Sequence, residues 1–144
     1  MAYSPINLIF SILSASYISA IFLLADSPVV STLASFNPYS LVHIPLYGIL
    51  TVLLVFSFLT SALKAKDSMA QQRNEPKDQS NRFMIAGFIT LGIAIADEIY
   101  QSLLPGRDGS ITDILLDIIG IGAAMLLVNQ FHKSSRFLIV HRKE

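Results

Sequence analysis

The sequence contains no cysteine, which excludes a disulfide framework, a thiol nucleophile and a cysteine metal site. It is also poor in charge: 14% of its 144 residues are charged and 53% are hydrophobic, a composition too apolar for an ordinary soluble domain. The formal net charge is zero, so no overall basic excess indicates nucleic acid as a partner. Because this length allows one compact domain, we expect residues 1–144 to form a single membrane domain.

Long apolar stretches are what the chain has in place of charge. A transmembrane helix needs about 20 apolar residues, and four stretches approach this length: 6–25, 41–63, 83–104 and 111–131. The residues before the first stretch include no Lys or Arg, so we interpret it as a retained helix rather than a signal peptide. The predicted fold is all-α, a polytopic membrane bundle of four transmembrane helices.

Small residues at four-residue spacing predict where these helices pack closely. One such series is Ser11, Ala15 and Ser19, and another is Gly92 and Ala96. A third follows the acidic residues of the last stretch and includes Gly120 and Ala124.

Basic residues are distributed unevenly between the apolar stretches. Residues 64–82 hold five and residues 132–144 hold four, whereas 26–40 hold none and 105–110 hold one. Since basic loops remain in the cytoplasm, we expect both termini on the cytoplasmic side of the cell membrane. We interpret 64–82 as a solvated cytoplasmic loop without a fold of its own, and 132–144 as a cytoplasmic tail.

Acidic residues concentrate in residues 97–117, which hold five of the ten in the chain and are flanked by apolar runs. Charges next to such runs are costly in lipid and are therefore functional candidates. A rise of about 1.5 Å per residue puts Asp97 and Glu98 roughly one to two turns below the outer membrane surface. Pro105 and Gly106 then predict a tight turn between the third and fourth helices.

Polar residues of two further helices are expected at the same depth. His43 and Tyr47, four apart, share one face in the outer turns of the second helix. Asp113 and Asp117 lie one turn apart in the outer turns of the fourth, and Ser110 with Asp113 has the spacing of a capping box. Polar groups of three helices should therefore meet on the outer side.

The charge balance of this outer side is uneven. Six acidic residues face one basic residue, Arg107, and carboxylates so crowded at low dielectric cannot all stay ionised without compensation. Protonation, pairing with Arg107, a bound cation or a ligand carrying donors would each compensate them. We expect Arg107 to be the counter-ion. The six acids are Asp26, Asp97, Glu98, Asp108, Asp113 and Asp117.

These motifs resemble the VanZ-like family of small integral membrane proteins over residues 41–128, apart from the loop at 64–82. The resemblance is carried by D-E-x-x-Q at 97–101, P-G-R at 105–107, S-x-x-D at 110–113, the following Gly120, and a His and a Tyr four apart at 43 and 47. The chain differs at Asp117, where the family usually has Asn, and at Tyr39 and Ser40, where it tends to have Asp-Lys.

The resemblance implies a role at the cell envelope, because the founding member is associated with resistance to teicoplanin, which acts outside the cytoplasmic membrane. Our first hypothesis is a protein that binds a membrane lipid, a lipid-linked wall precursor or an amphiphilic antibiotic at the outer leaflet. The candidate ligand-binding residues are His43, Tyr47, Asp97, Glu98, Gln101, Arg107, Asp113 and Asp117.

A second hypothesis is an intramembrane enzyme acting on such a lipid. Paired carboxylates can divide acid and base roles, His43 can carry protons, and His43 with carboxylates can hold a divalent metal. No metal or nucleophile motif such as HExxH or GxSxG occurs, so we favour binding and predict no cofactor or resident metal. Asp117 is then expected to be protonated, imitating Asn. A transporter is a third hypothesis; because four helices are few for a solute path, it requires a homo-oligomer.

Overall fold

The structure is a computed structural model that describes residues 5–30, 32, 40–64 and 75–141, with side chains described at 5–30, 32, 40–58 and 80–131. These residues form four long helices and no strand, which confirms the predicted all-α class. The helices are α1 (Pro5–Leu24), α2 (His43–Lys64), α3 (Glu75–Ser102) and α4 (Ile111–His141).

The helices form a membrane bundle. Three stretches are long and apolar enough to cross a membrane: Pro5–Leu24, Ser80–Ser102 and Ile111–Phe131. The backbone of α2 is 22 residues long, and its apolar part with described side chains is His43–Phe58. Large apolar side chains point outward along all four helices, as expected where the surrounding solvent is hydrocarbon.

Two helices extend beyond their apolar stretches, which corrects the predicted boundaries. Residues 75–82, predicted as part of a loop without structure, belong to α3, while 65–74 lie outside the described residues. Residues 132–141, predicted as a tail, continue α4. Hydropathy marks the part of a helix that contacts lipid, whereas polar residues such as Glu, Lys and Gln can continue its backbone hydrogen bonds into water.

Helix α2 lies at the centre of the bundle and contacts each of the other three helices. It supplies half of the buried apolar core, to which α3 contributes two alanines and α4 an isoleucine and a valine. The core residues are Tyr47, Leu50, Leu54, Val55, Ala86, Ala94, Ile121 and Val128.

The crossing of α2 and α4 depends on two glycines. A Cβ atom on Gly120 would collide with the backbone carbonyl of Ile44, and one on Gly48 would lie 3.4 Å from the Gly120 carbonyl oxygen. The two backbones are therefore in direct contact, as small residues permit in membrane helices. This contact brings the first turn of α2 beside the third turn of α4.

The two other series of small residues, on α1 and α3, predicted close contacts between helices, and few of these contacts are present. A 2.7 Å hydrogen bond joins the hydroxyls of Ser11 in α1 and Ser57 in α2, as close packing at Ser11 requires. The remaining members are exposed on the outside of the bundle. All the residues of a helix together determine which of its faces packs against the other helices, so two or three small residues do not decide it. These exposed residues are Ala15, Ser19, Gly92 and Ala96.

Candidate functional site

The candidate residues lie at one end of the bundle, where α1 and α3 end and α2 and α4 begin. Buried or half-buried polar side chains from α2, α3, α4 and the α3–α4 connection meet there. The buried ones are His43, Tyr47, Asp97, Glu98, Gln101 and Asp117, and the half-buried ones are Arg107 and Asp113.

The connection between α3 and α4 is the turn that the sequence predicted. The Arg107 N–H donates to the Leu104 carbonyl at 3.3 Å, which closes a four-residue turn. Pro105 occupies the second position, and Gly106 occupies the third with φ +74°. That combination is a type II turn, in which only glycine takes the third position without strain.

Two hydrogen bonds cap the first turn of α4, and the sequence predicted one of them. The Asp113 N–H donates to Ser110 Oγ at 3.4 Å, as in a capping box. The Ser110 N–H donates to Glu98 Oε2 at 2.6 Å instead of to the Asp113 carboxylate. Gly109 permits this contact, since a Cβ there would lie 2.6 Å from the Glu98 carbonyl oxygen. Asp113 is thereby left to face His43.

His43 lies among three carboxylates from two helices. Its Nδ1 is 3.0 Å from Asp117 Oδ1 and 4.0 Å from Glu98 Oε1, and its Nε2 is 3.7 Å from Asp113 Oδ2. His43 is the first residue of α2, next to Ile44 at the α2–α4 crossing. The crossing therefore holds the His43 ring against α4. The imidazole thus occupies the position that we had expected a guanidinium to take.

Asp97 is held by two neutral donors. The Tyr47 hydroxyl and the Gln101 side-chain amide each donate to Asp97 Oδ2 at 2.9 Å. Gln101 reaches it because residues four apart lie on the same face of a helix. Tyr47 and Gln101, both parts of the predicted set, therefore position a carboxylate that is 2% exposed.

Arg107 does not pair directly with the carboxylates, contrary to our expectation. Its guanidinium donates to the Ala25 carbonyl just beyond α1. Within the described part of the chain, the ion pairs at this site with a separation of 4.0 Å or less are those of His43. Arg107 and Asp97 line one cavity, so the charge of Arg107 still attracts Asp97 across it. Arg107 thus ties the α3–α4 turn to α1 while acting on Asp97 at a distance.

Three buried carboxylate oxygens lack a hydrogen-bond partner among the described residues: Asp97 Oδ1, Glu98 Oε1 and Asp117 Oδ2. Four carboxylates meet here, counting Asp113, and the bases are His43 and Arg107. With every group ionised, four negative and two positive charges would leave an excess of two negative charges. Burial of such unpaired acceptors is costly, so protonation, a cation or a ligand has to compensate them.

A cavity of about 290 Å³ adjoins this cluster. Asp97, Gln101, Arg107, Asp113 and His43 form its polar end. Its remaining wall is mostly apolar and comes from the end of α1 and the beginning of α2. That wall includes Tyr17, Ala20, Ile21, Leu24, Val42 and Leu46.

The contribution of α1 was missed by the sequence analysis, which assigned no candidate residue to it. Four α1 residues line the cavity, and the Tyr17 hydroxyl donates to the Leu46 carbonyl at 3.2 Å. The signal in the sequence was a tyrosine in an uncharged helix whose other polar residues are one asparagine and four serines. Apolar cavity residues carry no signal of their own, because they are indistinguishable from residues that face lipid.

The family of the chain follows from a comparison with protein-family models. Residues 4–132 match the family described as VanZ/LLP1. The chain belongs to this family. The match confirms the assignment made from motifs, includes all eight candidate residues, and extends the resemblance from residues 41–128 to α1. No curated protein and no solved structure matches the chain.

Proposed function

We propose that this VanZ/LLP1 protein binds an amphiphile of the cell envelope: a lipid, a lipid-linked wall precursor or an amphiphilic antibiotic. The observation that supports this proposal is the cavity, which has an apolar wall from α1 and α2 and a polar end formed by Asp97, Asp113, His43, Gln101 and Arg107. A ligand with a polar head and an apolar chain matches both parts. A purely polar solute would leave the apolar wall in contact with water.

The binding site belongs at the outer leaflet of the cytoplasmic membrane. Nine of the ten Lys and Arg residues fall in residues 64–82 and 132–144 of the sequence, and the tenth is Arg107. The positive-inside rule then assigns both termini and the α2–α3 connection to the cytoplasm. This is the membrane face at which glycopeptide antibiotics such as teicoplanin act, so altered susceptibility to them is a second readout.

The acidic excess restricts the head group of the ligand. Hydroxyl groups of a sugar or an amine would donate to the unpartnered oxygen of Asp97, which lines the cavity. A phosphate would be repelled unless Arg107 or a bound cation met it. The proposal therefore favours a sugar-bearing, amine-bearing or metal-bridged head group.

Native mass spectrometry of the purified protein with co-isolated lipids tests the proposal. The informative variant is Ala20→Phe, which places a large ring in the cavity wall of α1. The matched control is Ala15→Phe, at an exposed position of the same helix outside the cavity. We expect the wild type and Ala15→Phe to retain an amphiphile that Ala20→Phe has lost. Equal retention by both variants, or no retention by the wild type, would reject the proposal.

An enzyme acting on the same ligand is the second candidate, and the contact between His43 and Asp117 favours it. An imidazole held by a carboxylate through one nitrogen can use the other as a general acid or base. Here that nitrogen, Nε2, faces Asp113, which together with His43 lines the cavity. Cleavage of the retained amphiphile over hours, abolished in His43→Ala, would establish catalysis. A ligand that stays intact supports binding alone.

A further inference from the structure

We propose that His43, Glu98 and Asp117 form a binding site for a divalent transition-metal ion. The three residues come from α2, α3 and α4 and are all buried. Each offers one ligand atom, an imidazole nitrogen or a carboxylate oxygen, and these atoms lie within 4.8 Å of one another. Nδ1 is the ring nitrogen that faces Asp117 and Glu98. Ligand atoms around one small cation lie about 3–4 Å apart when each is about 2.1 Å from the metal, so the widest pair has to close by about 1 Å to complete the site.

The unpartnered oxygens are the independent sign of a ligand. Glu98 Oε1 and Asp117 Oδ2 have no hydrogen-bond partner among the described residues, and the two residues are 4% and 0% exposed. Both belong to the group of three that converges on His43. A cation at this position would attract both carboxylates, and because a metal-bound imidazole is neutral, a divalent ion would reduce the negative excess of the cluster from two charges to one.

The surrounding contacts resemble those that orient metal ligands. Glu98 Oε2 accepts the Ser110 N–H at 2.6 Å, which fixes the carboxylate and leaves Oε1 available. His43 Nε2 lies 3.7 Å from Asp113 Oδ2, which is longer than a hydrogen bond but places a carboxylate on the side of the ring away from Nδ1. Metal-binding histidines usually have such a carboxylate or carbonyl at their second nitrogen, where it fixes the tautomer and the ring orientation.

The donor set restricts the metal. One imidazole nitrogen with two carboxylates suits Mn²⁺, Fe²⁺ or Zn²⁺, whereas Ca²⁺ and Mg²⁺ prefer oxygen ligands alone. Three protein ligands leave coordination positions for water or for a ligand oxygen. If the proposed amphiphile carries a phosphate, a phosphate oxygen can occupy one of these positions. Only this phosphate contact rests on the proposed function; metal binding itself does not.

This proposal departs from our expectation of no resident metal and a protonated Asp117. That expectation rested on the absence of a local metal motif. The three ligands are separated by 55 and 19 positions in the chain, as their numbers show. A motif search within one helix therefore has nothing to detect, and only the packing of three helices creates the site.

Metal titration of the lipid-free protein in detergent tests the proposal. After removal of metals with a chelator, Zn²⁺ binding is measured by calorimetry and Mn²⁺ binding by electron paramagnetic resonance. We expect one ion per chain, bound more tightly than Ca²⁺. Asp117→Asn and Glu98→Gln should each weaken binding at least tenfold, equivalent to about 1.4 kcal/mol. Asp108→Asn removes an exposed acid that is outside the group of three and should change nothing.

Two results would overturn the metal site: no saturable binding by the wild type, or equal binding by wild type, Asp117→Asn and Glu98→Gln. If a variant does not fold, the wild type remains decisive, because a metal bound to the native state raises the melting temperature and a chelator reverses the rise. A wild type without this shift contradicts the proposal. Loss of the amphiphile with intact metal binding would count against the proposed function alone.

Discussion

At the scale of single residues, the buried carboxylates depend on donors placed one helical turn away or on a neighbouring helix. Asp97 shows this most clearly, since the hydroxyl of Tyr47 and the amide of Gln101 donate to the same oxygen. An acceptor that loses a donor in the interior of a protein has no water to replace it. Stability should therefore respond strongly to removal of a single oxygen atom here.

We predict that Tyr47→Phe destabilises the protein by about 1–3 kcal/mol, because it leaves a buried acceptor with one donor fewer. The change removes only the hydroxyl and keeps the packing of a ring that is 0% exposed. Thermal unfolding in detergent measures it. The control is Tyr100→Phe on the lipid-facing side of α3, where the ring is 37% exposed and touches Phe22 edge-on. Similar losses in both variants would show that the Asp97 contact contributes little.

Arg107→Gln tests whether the charge of Arg107 stabilises the acidic cluster in addition to its hydrogen bond with the Ala25 carbonyl. The variant loses the hydrogen bond to the Ala25 carbonyl at every pH, and it also loses a positive charge near the acidic cluster. Protonation of the carboxylates at low pH removes the charge that Arg107 offsets. The melting temperature should therefore fall more at pH 8 than at pH 5. A fall of the same size at both pH values would assign Arg107 to the Ala25 contact alone.

At the scale of helices, the site depends on how closely α2 and α4 approach. Gly120→Ala would push a methyl group into the backbone of Ile44, and because backbone atoms cannot turn aside as a side chain can, the two helices have to separate. Overpacking of this kind costs about 1–3 kcal/mol. We also expect weaker metal binding. His43 belongs to α2 and Asp117 to α4, so separating the two helices moves these two proposed ligands apart. Thermal unfolding and the Mn²⁺ titration measure both effects.

Gly122→Ala is the matched control for that prediction. It lies two residues further along α4, where a Cβ would meet no atom within 4 Å among the described residues. Alanine is favoured over glycine in a helix by about 1 kcal/mol, so this variant should be neutral or slightly more stable. If both alanine variants behave alike, the close approach of α2 and α4 is not what limits stability.

At the scale of the whole molecule, the predicted orientation determines whether the cavity faces the outer leaflet. Cysteine at Asp108 in the α3–α4 connection should react with a membrane-impermeant maleimide in intact cells, while cysteine at Ser80 should react only after lysis. Both positions are exposed, and the chain has no native cysteine to interfere. The opposite labelling pattern would place the cavity on the cytoplasmic side and contradict the proposed function.

Much of this architecture could be predicted from the sequence because it depends on local chemistry. Hydropathy identified the membrane-spanning stretches, and Pro105 with Gly106 predicted the turn that reverses the chain. The helical spacing of His43 with Tyr47 and of Asp113 with Asp117 placed these residues near one depth. The helical parts of 75–82 and 132–141 were missed, since polar helix and polar loop share one composition.

Which groups contact one another was decided only by the tertiary structure. Glu98, rather than Asp113, accepts the Ser110 N–H that a local capping box would assign to Asp113, because Gly109 lets α3 approach the start of α4. His43 rather than Arg107 contacts the carboxylates, because the contact of Gly120 with Ile44 sets the approach of α2 to α4. Spacing along the chain specifies neighbours within a helix, whereas neighbours on different helices depend on which backbones can come into contact.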